Sequence, residues 1–426
     1  MPGKAALTVD PHLLARLTEG RTVYLVTGTN GKTTTVRILC TLLRTQGFQI
    51  ITNPSGANLD SGLTTTLINN LQLLKSAGKL ALVFEIDEAF FGKLAADLNP
   101  SVCVVTNFFR DQLDRFGELQ HTRDLIAKGL DETSSRVILC ADDSLCASLA
   151  RGREDRVKFF GMAEPGFHPS TSDAIHESAF CTFCGDKYEY NGMVYGHLGR
   201  FYCPSCGFAR PSPDLSFLPD DHDGKSLHLD LAWQGERSTA VLPIPGIHNG
   251  YNAAAALLAA LSNGLPWPSS VAALSQAEAA FGRMERFSAG DRDVCLILVK
   301  NPVGMDRALD FVAAAPDGGG VMFLLNSNDP DGRDVSWIWD VNFESHLPAG
   351  KIGVSGQRCH DMALRLYYAG KQPEELQTDM GHTALYDRLL ADCPAGRCLY
   401  ILPNYTAMLS LRADLAKRYQ LRDFWR

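Results

Sequence analysis

No apolar run in the chain approaches the ~18 residues that a membrane span requires; the longest, 253–261, is alanine-rich and about half that length. The first residues, MPGKAALTVDPHLLARL, lack the apolar core of a signal peptide, so a cytoplasmic chain without an integral membrane segment is expected. Positive charge is not in excess: 40 Lys and Arg stand against 48 Asp and Glu, a formal charge of −8, which argues against nucleic acid as a partner. Internal repeats and low-complexity tracts are missing too, which excludes solenoids and fibrous chains. What remains is ordinary globular composition, 45% hydrophobic and 21% charged, and 426 residues are enough for two or three domains.

Continuous apolar runs alternate with helical patterns through the first third. Thr22–Thr27 (TVYLVT), 80–86 (LALVFEI), 101–107 (SVCVVTN) and 136–141 read as buried strands, with a helix over 33–45. Such strands indicate a mostly parallel sheet with helices on both faces. Between about 164 and 213 the texture changes to Cys, Gly, Pro, Phe and Tyr without helical period, as in a small inserted module. A hairpin over Leu227–Trp233 and 238–242 returns to the sheet, and 252–262 and 271–281 read as helices. Near 288–293 a boundary follows, and the strands at 294–299, 321–325, 351–354 and 398–402 predict a second α/β domain. The expected division is a central domain over 1–288, an insert over 176–212 and a C-terminal domain over 289–426.

Between the first strand and its helix stands TGTNGKTTT. A glycine-rich turn at a helix N-terminus aims backbone N–H groups and the helix dipole at one point, the setting for a phosphate. Gly28, Thr29, Asn30, Gly31, Lys32, Thr33 and Thr34 are the candidate nucleotide-binding residues. Lys32 would reach the β- and γ-phosphates, and Thr33 would place its hydroxyl on Mg²⁺. Val26 stands where the longer GxxxxGK[ST] motif has glycine, so this is the short GxxGKT form.

Cys181, Cys184, Cys203 and Cys206 form C-x2-C-x18-C-x2-C. Two CxxC knuckles bring four thiolates to tetrahedral reach of one Zn²⁺, and four protein ligands leave no open position, so the zinc would be structural. The insert carries few cations, which favours a stability or partner-docking role over nucleic-acid binding. The other eight cysteines are scattered and read as small buried hydrophobes. Among them Cys359 is followed by His360, but neighbouring residues on one element point apart, so no nucleophile is assigned there.

The loop TGTNGKTTT resembles the ATP loop of the Mur ligase family, which joins carboxylates to amines through an acyl phosphate. Further motifs follow in the family's order: FEIDEA, VVTNFFRDQLDRFGEL, IPGIHNGYNAAAA and FGRMERF. The resemblance implies ATP and Mg²⁺ as cofactors, Glu85 as a metal-binding acid, Asn249 near the nucleotide and Arg283 near the phosphates. It also exposes departures. Only 26 residues precede the loop, too few for the uridine-nucleotide domain of the stem-peptide ligases. Gln112 replaces a histidine that helps bind a second metal. Ile126 stands near where many relatives carry a carbamylated lysine, with Lys128 only nearby, and that role is not transferred.

The four-cysteine insert, the altered LVKNPVG segment and the stretch DPDGRDVSWIWDVNFE are similar to the MurT branch of that family, the synthetase subunits of lipid II isoglutaminyl synthases. That resemblance implies ATP-dependent amidation of D-glutamate in the stem of lipid II, at the inner membrane face. Ammonia would come from a separate glutaminase of the GatD type in a heterodimer. It implies one aspartate that orients the partner's histidine; Asp340 and Asp334 are the candidates, with Asp340 preferred on register. Trp337 and Trp339 beside them suit either an interface or the core. Two alternatives stand: an amino-acid ligase of the folylpolyglutamate synthetase type, and a nucleotide-binding zinc-ribbon scaffold without turnover.

Overall fold

The strands β1 (Thr22–Thr27), β2 (Gln49–Thr52), β3 (Leu80–Glu85), β4 (Val102–Val105), β5 (Arg136–Cys140), β6 (Val157–Met162), β9 (Leu215–Asp220), β10 (Leu227–Trp233) and β11 (Glu236–Leu242) form one sheet. Its order is β11-β10-β9-β6-β5-β4-β1-β3-β2. The computed structural model describes residues 2–54, 56–110, 119–169, 178–220, 226–278, 283–315, 317–348 and 350–421.

From β2 to β9 neighbouring strands are parallel, and β9, β10 and β11 are antiparallel. Residue patterning explains the change. Val23 to Thr27 in β1 are all buried, as a strand covered on both faces requires. In β10, Leu227, Leu229 and Leu231 are buried while His228 and Asp230 are exposed, the alternation of a half-covered antiparallel strand. Helix Ile247–Ser262 packs on this sheet and against the helix Lys32–Thr45. Its residues Asn249 to Leu261 are all buried. The run of alanines allows that close approach without loss of helix propensity.

The chain leaves β1 for β2 and β3 on one side and returns to β4 on the other. This places a switch point at the carboxyl ends of β1 and β4, where open α/β sheets bind ligands. The insert contributes the hairpin β7 (Glu189–Tyr195) and β8 (Leu198–Tyr202).

Contacts divide the chain into two units, residues 1–109 with 118–278 and residues 110–117 with 279–426. The second contains the sheet β12-β13-β17-β14-β15-β16. Its strands are β12 (Arg283–Ala289), β13 (Arg292–Ile297), β14 (Gly318–Leu324), β15 (Ile352–Ser355), β16 (Leu376–Asp379) and β17 (Cys398–Pro403). All pairs are parallel except β12 with β13. The turn at Gly290, inside the stretch read as a boundary, is the hairpin between those two strands. Asn301, kept from the family pattern, caps the helix Pro302–Ala314 by accepting the Gly304 N–H at 2.8 Å.

Candidate nucleotide site and four-cysteine cluster

After Thr27 the backbone must turn through left-handed conformations to enter the helix Lys32–Thr45. Gly28 and Gly31 supply them, with φ of 115° and 86°. A Cβ at Gly28 would strike Thr106 Oγ1, and one at Gly31 would strike Asn252 Oδ1, so only glycine fits. Gly31 is the N-cap and brings no capping side chain, so the first-turn N–H groups and the dipole favour an anion at this end.

The carboxyl end of β4 holds the loop. Thr29 N–H donates to Asn107 O at 2.9 Å, Asn30 N–H to Asn107 Oδ1 at 2.9 Å, and Thr106 Oγ1 to Asn30 O at 2.7 Å. Thr29 Oγ1 donates to Phe109 O at 3.1 Å and accepts from Phe109 N–H at 3.0 Å. Lys32 Nζ donates to Gly28 O at 2.7 Å and to Glu88 Oε1 at 3.0 Å, and this ion pair is 10% and 8% exposed. Thr33 Oγ1 donates to Glu85 Oε2 at 2.8 Å. Two neighbouring oxygens on octahedral Mg²⁺ stand about 2.9 Å apart, so the Thr33–Glu85 pair fits that ion.

Asn249 lies in the first turn of Ile247–Ser262. It donates to Pro245 O at 2.7 Å and accepts from Asn252 Nδ2 at 3.1 Å. Asn252 Oδ1 is 3.4 Å from Thr35 Oγ1, so this helix start abuts the loop. Thr34 is buried beneath it. Arg283 opens β12 in the second unit, and its side chain lies outside the described residues, as does Gln112. Ile126 is fully buried in the helix Leu119–Asp131, a core residue. Glu88 and Asn252 were not singled out from the sequence. Glu88 shares the FEIDEA run with Glu85, but nothing in that run marks it as the partner of Lys32.

In the second unit, Asp334 accepts the Ser336 N–H at 2.8 Å and its hydroxyl at 2.9 Å, a local turn role. Asp340 ends the turn Ser336–Asp340 with a half-exposed carboxylate, 3.3 Å from Arg110 Nη1. Trp337 packs against the core and Trp339 is exposed. Cys359 is buried, and desolvation pushes its thiol up, away from nucleophile chemistry.

The four cysteines converge. Their sulfurs lie within 4.8 Å of one another, with Cys181–Cys206 at 3.6 Å and Cys184–Cys203 at 3.4 Å. A tetrahedral zinc with four thiolates sets sulfurs about 3.8 Å apart, so the donor set fits that ion. The knuckles are alike: Gly185 N–H donates to Cys181 O and Gly207 N–H to Cys203 O, both at 2.9 Å, each glycine at positive φ. Burial raises the Cys181 thiol, but N–H groups of Phe183 and Cys184 outweigh it and hold it down at about 6. Cys184 stands at about 12, since the neighbouring sulfurs outweigh the N–H bond from Asp186.

Two family models match the chain, the Mur ligase middle domain over 26–199 and the MurT ligase C-terminal domain over 298–408. The chain is 33% identical to the lipid II isoglutaminyl synthase (glutamine-hydrolyzing) subunit MurT of Streptococcus pneumoniae, covering 99% of this chain and 93% of that one. Against the subunit of the same name from Staphylococcus aureus it is 31% identical, with the same coverage. Among solved structures, a pseudomurein peptide ligase type C from Methanothermus fervidus superposes with a TM-score of 0.69 at 20% identity, over 95% of this chain and 80% of that one. MurF from Thermotoga maritima in complex with ADP gives 0.65 at 14% identity, over 96% and 85%; these last two show the fold. The chain belongs to the MurT family of Mur-type ATP-dependent ligases.

Proposed function

We propose that this chain is the synthetase of a lipid II amidating enzyme, converting the α-carboxylate of D-glutamate in the stem peptide to the amide of D-isoglutamine. The observation that carries the reading is the Gly28–Thr34 loop with Thr33 on Glu85, in a chain of this family. A carboxylate is a poor electrophile. Its oxygen attacks the γ-phosphorus of ATP, the bond to ADP breaks, and an acyl phosphate results. Ammonia then adds to the acyl carbon, the C–O bond breaks, phosphate leaves and the nitrogen loses a proton. Lys32 moves from Glu88 to the phosphates, where its charge offsets that of the transferred group. Thr33 and Glu85 hold Mg²⁺, which supplies further positive charge at the phosphates when bound. Asn249 positions the nucleotide, and Arg283 adds positive charge at the phosphates.

No activated nucleophile for glutamine hydrolysis is assigned in this chain, so ammonia comes from a partner glutaminase of the GatD type. Asp340 is preferred over Asp334 as the aspartate that orients that partner's histidine; its half-exposed carboxylate faces Arg110, and that of Asp334 holds Ser336. Cys181, Cys184, Cys203 and Cys206 hold a structural Zn²⁺. The enzyme works at the inner face of the membrane through its lipid-linked substrate.

The test is ADP release by the purified chain. Turnover should require lipid II and ammonium together, should not be supported by amino acids in place of ammonium, and should vanish in Lys32→Ala. Turnover with amino acids alone would replace this reading with an amino-acid ligase.

A further inference from the structure

We propose that the inserted four-cysteine module positions the phosphate loop, with His197 and Asp143 as the positioning residues. The inference rests on the reading of Gly28–Thr34 as a nucleotide site. The connection runs through four packed steps within the first unit.

The knuckles are seated first. Cys181 and Cys203 pack with Tyr188 and Phe201, and Phe201 belongs to the β7–β8 hairpin. The turn of that hairpin, Tyr195-Gly196-His197, then closes on Phe109. The Phe109 ring is stacked on Tyr195 at 5.9 Å and tilted against His197 at 4.7 Å. A Cβ at Gly196 would come within 2.7 Å of that ring. On its other side, Phe109 meets the loop through its backbone, whose N–H and C=O both bond to Thr29 Oγ1. One residue therefore joins the insert to the loop, ring to one and peptide to the other.

A buried carboxylate makes the same connection. Asp143 is fully buried. Its Oδ2 accepts the Phe108 N–H at 2.7 Å and its Oδ1 accepts the Leu145 and Cys146 N–H groups at 2.9 and 3.2 Å. His197 Nε2 lies 3.4 Å from the same Oδ1, and the histidine is fully buried. The neighbouring Asp142 anchors the hairpin from behind. Its carbonyl accepts Gly199 N–H at 2.9 Å, and its carboxylate takes Arg210 Nε and Tyr251 OH, each at 2.6 Å. Tyr251 sits next to Asn252, which abuts Gly31 and Thr35.

A phosphate loop binds in proportion to the population already in the binding geometry. Phe109 and Asp143 restrain the segment that hydrogen-bonds Thr29 and Asn30, and the insert restrains both. Loosening the hairpin should spread the loop over more conformers and weaken nucleotide binding without touching a nucleotide contact.

The experiment uses the full chain and Mg²⁺–ADP as probe, by calorimetric titration, with amide hydrogen exchange on the same samples. Phe109→Leu, His197→Ala and His197→Gln are compared with the wild type. Coupling through packed side chains predicts an ADP dissociation constant raised about three- to thirtyfold in Phe109→Leu and His197→Ala, with Gln partly restoring it. Combining Phe109→Leu with His197→Ala should weaken binding less than the product of the single effects, since both act through one contact. Faster exchange should be confined to residues 28–32 and 106–109, with the sheet still protected. If His197→Ala does not fold, Phe109→Leu and His197→Gln decide. Affinity within twofold of wild type in the folded variants, or exchange rising across the whole sheet, overturns the proposal. Absence of ADP binding by the wild-type chain overturns instead the nucleotide-site reading beneath it.

Discussion

Lys32 and Glu88 make the end of the Gly28–Thr34 loop a place of buried charge. Each is largely withdrawn from water, and each has the other as counter-ion. Removing Glu88 takes the opposing carboxylate from a buried ammonium that keeps its bond to Gly28 O. Glu88→Ala should lower stability by about 3–5 kcal/mol in denaturant unfolding, and saturating Mg²⁺–ADP should recover much of it because phosphate replaces the carboxylate. Loss without recovery would mean that Lys32 does not reach the nucleotide. Gly31 gives a second test at one residue. Alanine there meets both a left-handed φ and Asn252 Oδ1, and Gly31→Ala should weaken ADP binding about tenfold or more, the strain being of order 1–3 kcal/mol. An unchanged dissociation constant would separate the loop's shape from its binding. The glycine-rich loop and the paired CxxC knuckles could be read as candidates because each is a local run whose spacing implies its chemistry, whereas Glu85 was proposed only through the family resemblance. Glu88, Asn252, Asp143 and His197 were not legible. Their partners lie 56, 217 and 35 residues away for Lys32–Glu88, Thr35–Asn252 and Phe108–Asp143, and no periodicity encodes such pairings.

At the scale of elements, continuous burial in β1 and alternation in β10 separated parallel from antiparallel strands, and both patterns are visible in the residues themselves. The place of β12 was not. Its run RMERFSA carries three charges in its first four residues and reads as the close of the first domain, yet it pairs antiparallel with β13 through a tight turn at Gly290. Hairpin pairing across so short a turn outweighs a polar composition at a sheet edge. The cysteine knuckles carry a prediction of their own. Against burial, the N–H groups of Phe183 and Cys184 pull the Cys181 thiol down, while against the N–H bond from Asp186 the neighbouring sulfurs push Cys184 up, so the four thiols do not shed their protons together. Zinc binds thiolates and must displace the protons that remain, so affinity rises with pH across the neutral range and each binding event releases protons. Competition titrations with a chelator at pH 6, 7 and 8 check this; affinity independent of pH would mean that the cluster is not the zinc site.

For the whole molecule, the proposed function gives the first unit the phosphate loop that activates the carboxylate and gives the second the aspartate that meets the source of ammonia. Asp340, exposed at the end of its turn, belongs to the second. Asp340→Ala should therefore abolish glutamine-dependent amidation in the presence of the partner glutaminase and leave ammonium-dependent amidation within about twofold of wild type, a change typical of a site whose loss does not reach the other centre. Equal loss with both nitrogen sources would move Asp340 out of the partner's triad. The central claim is that the chain itself turns a stem-peptide carboxylate into an amide. The most direct measurement is the mass and fragmentation of lipid II after incubation with the purified chain, ATP, Mg²⁺ and ammonium. The expected product has one OH replaced by NH₂, localised to the α-carboxylate of D-glutamate. Lipid II left unchanged while ADP accumulates, or lipid II extended by a whole amino acid, would contradict it.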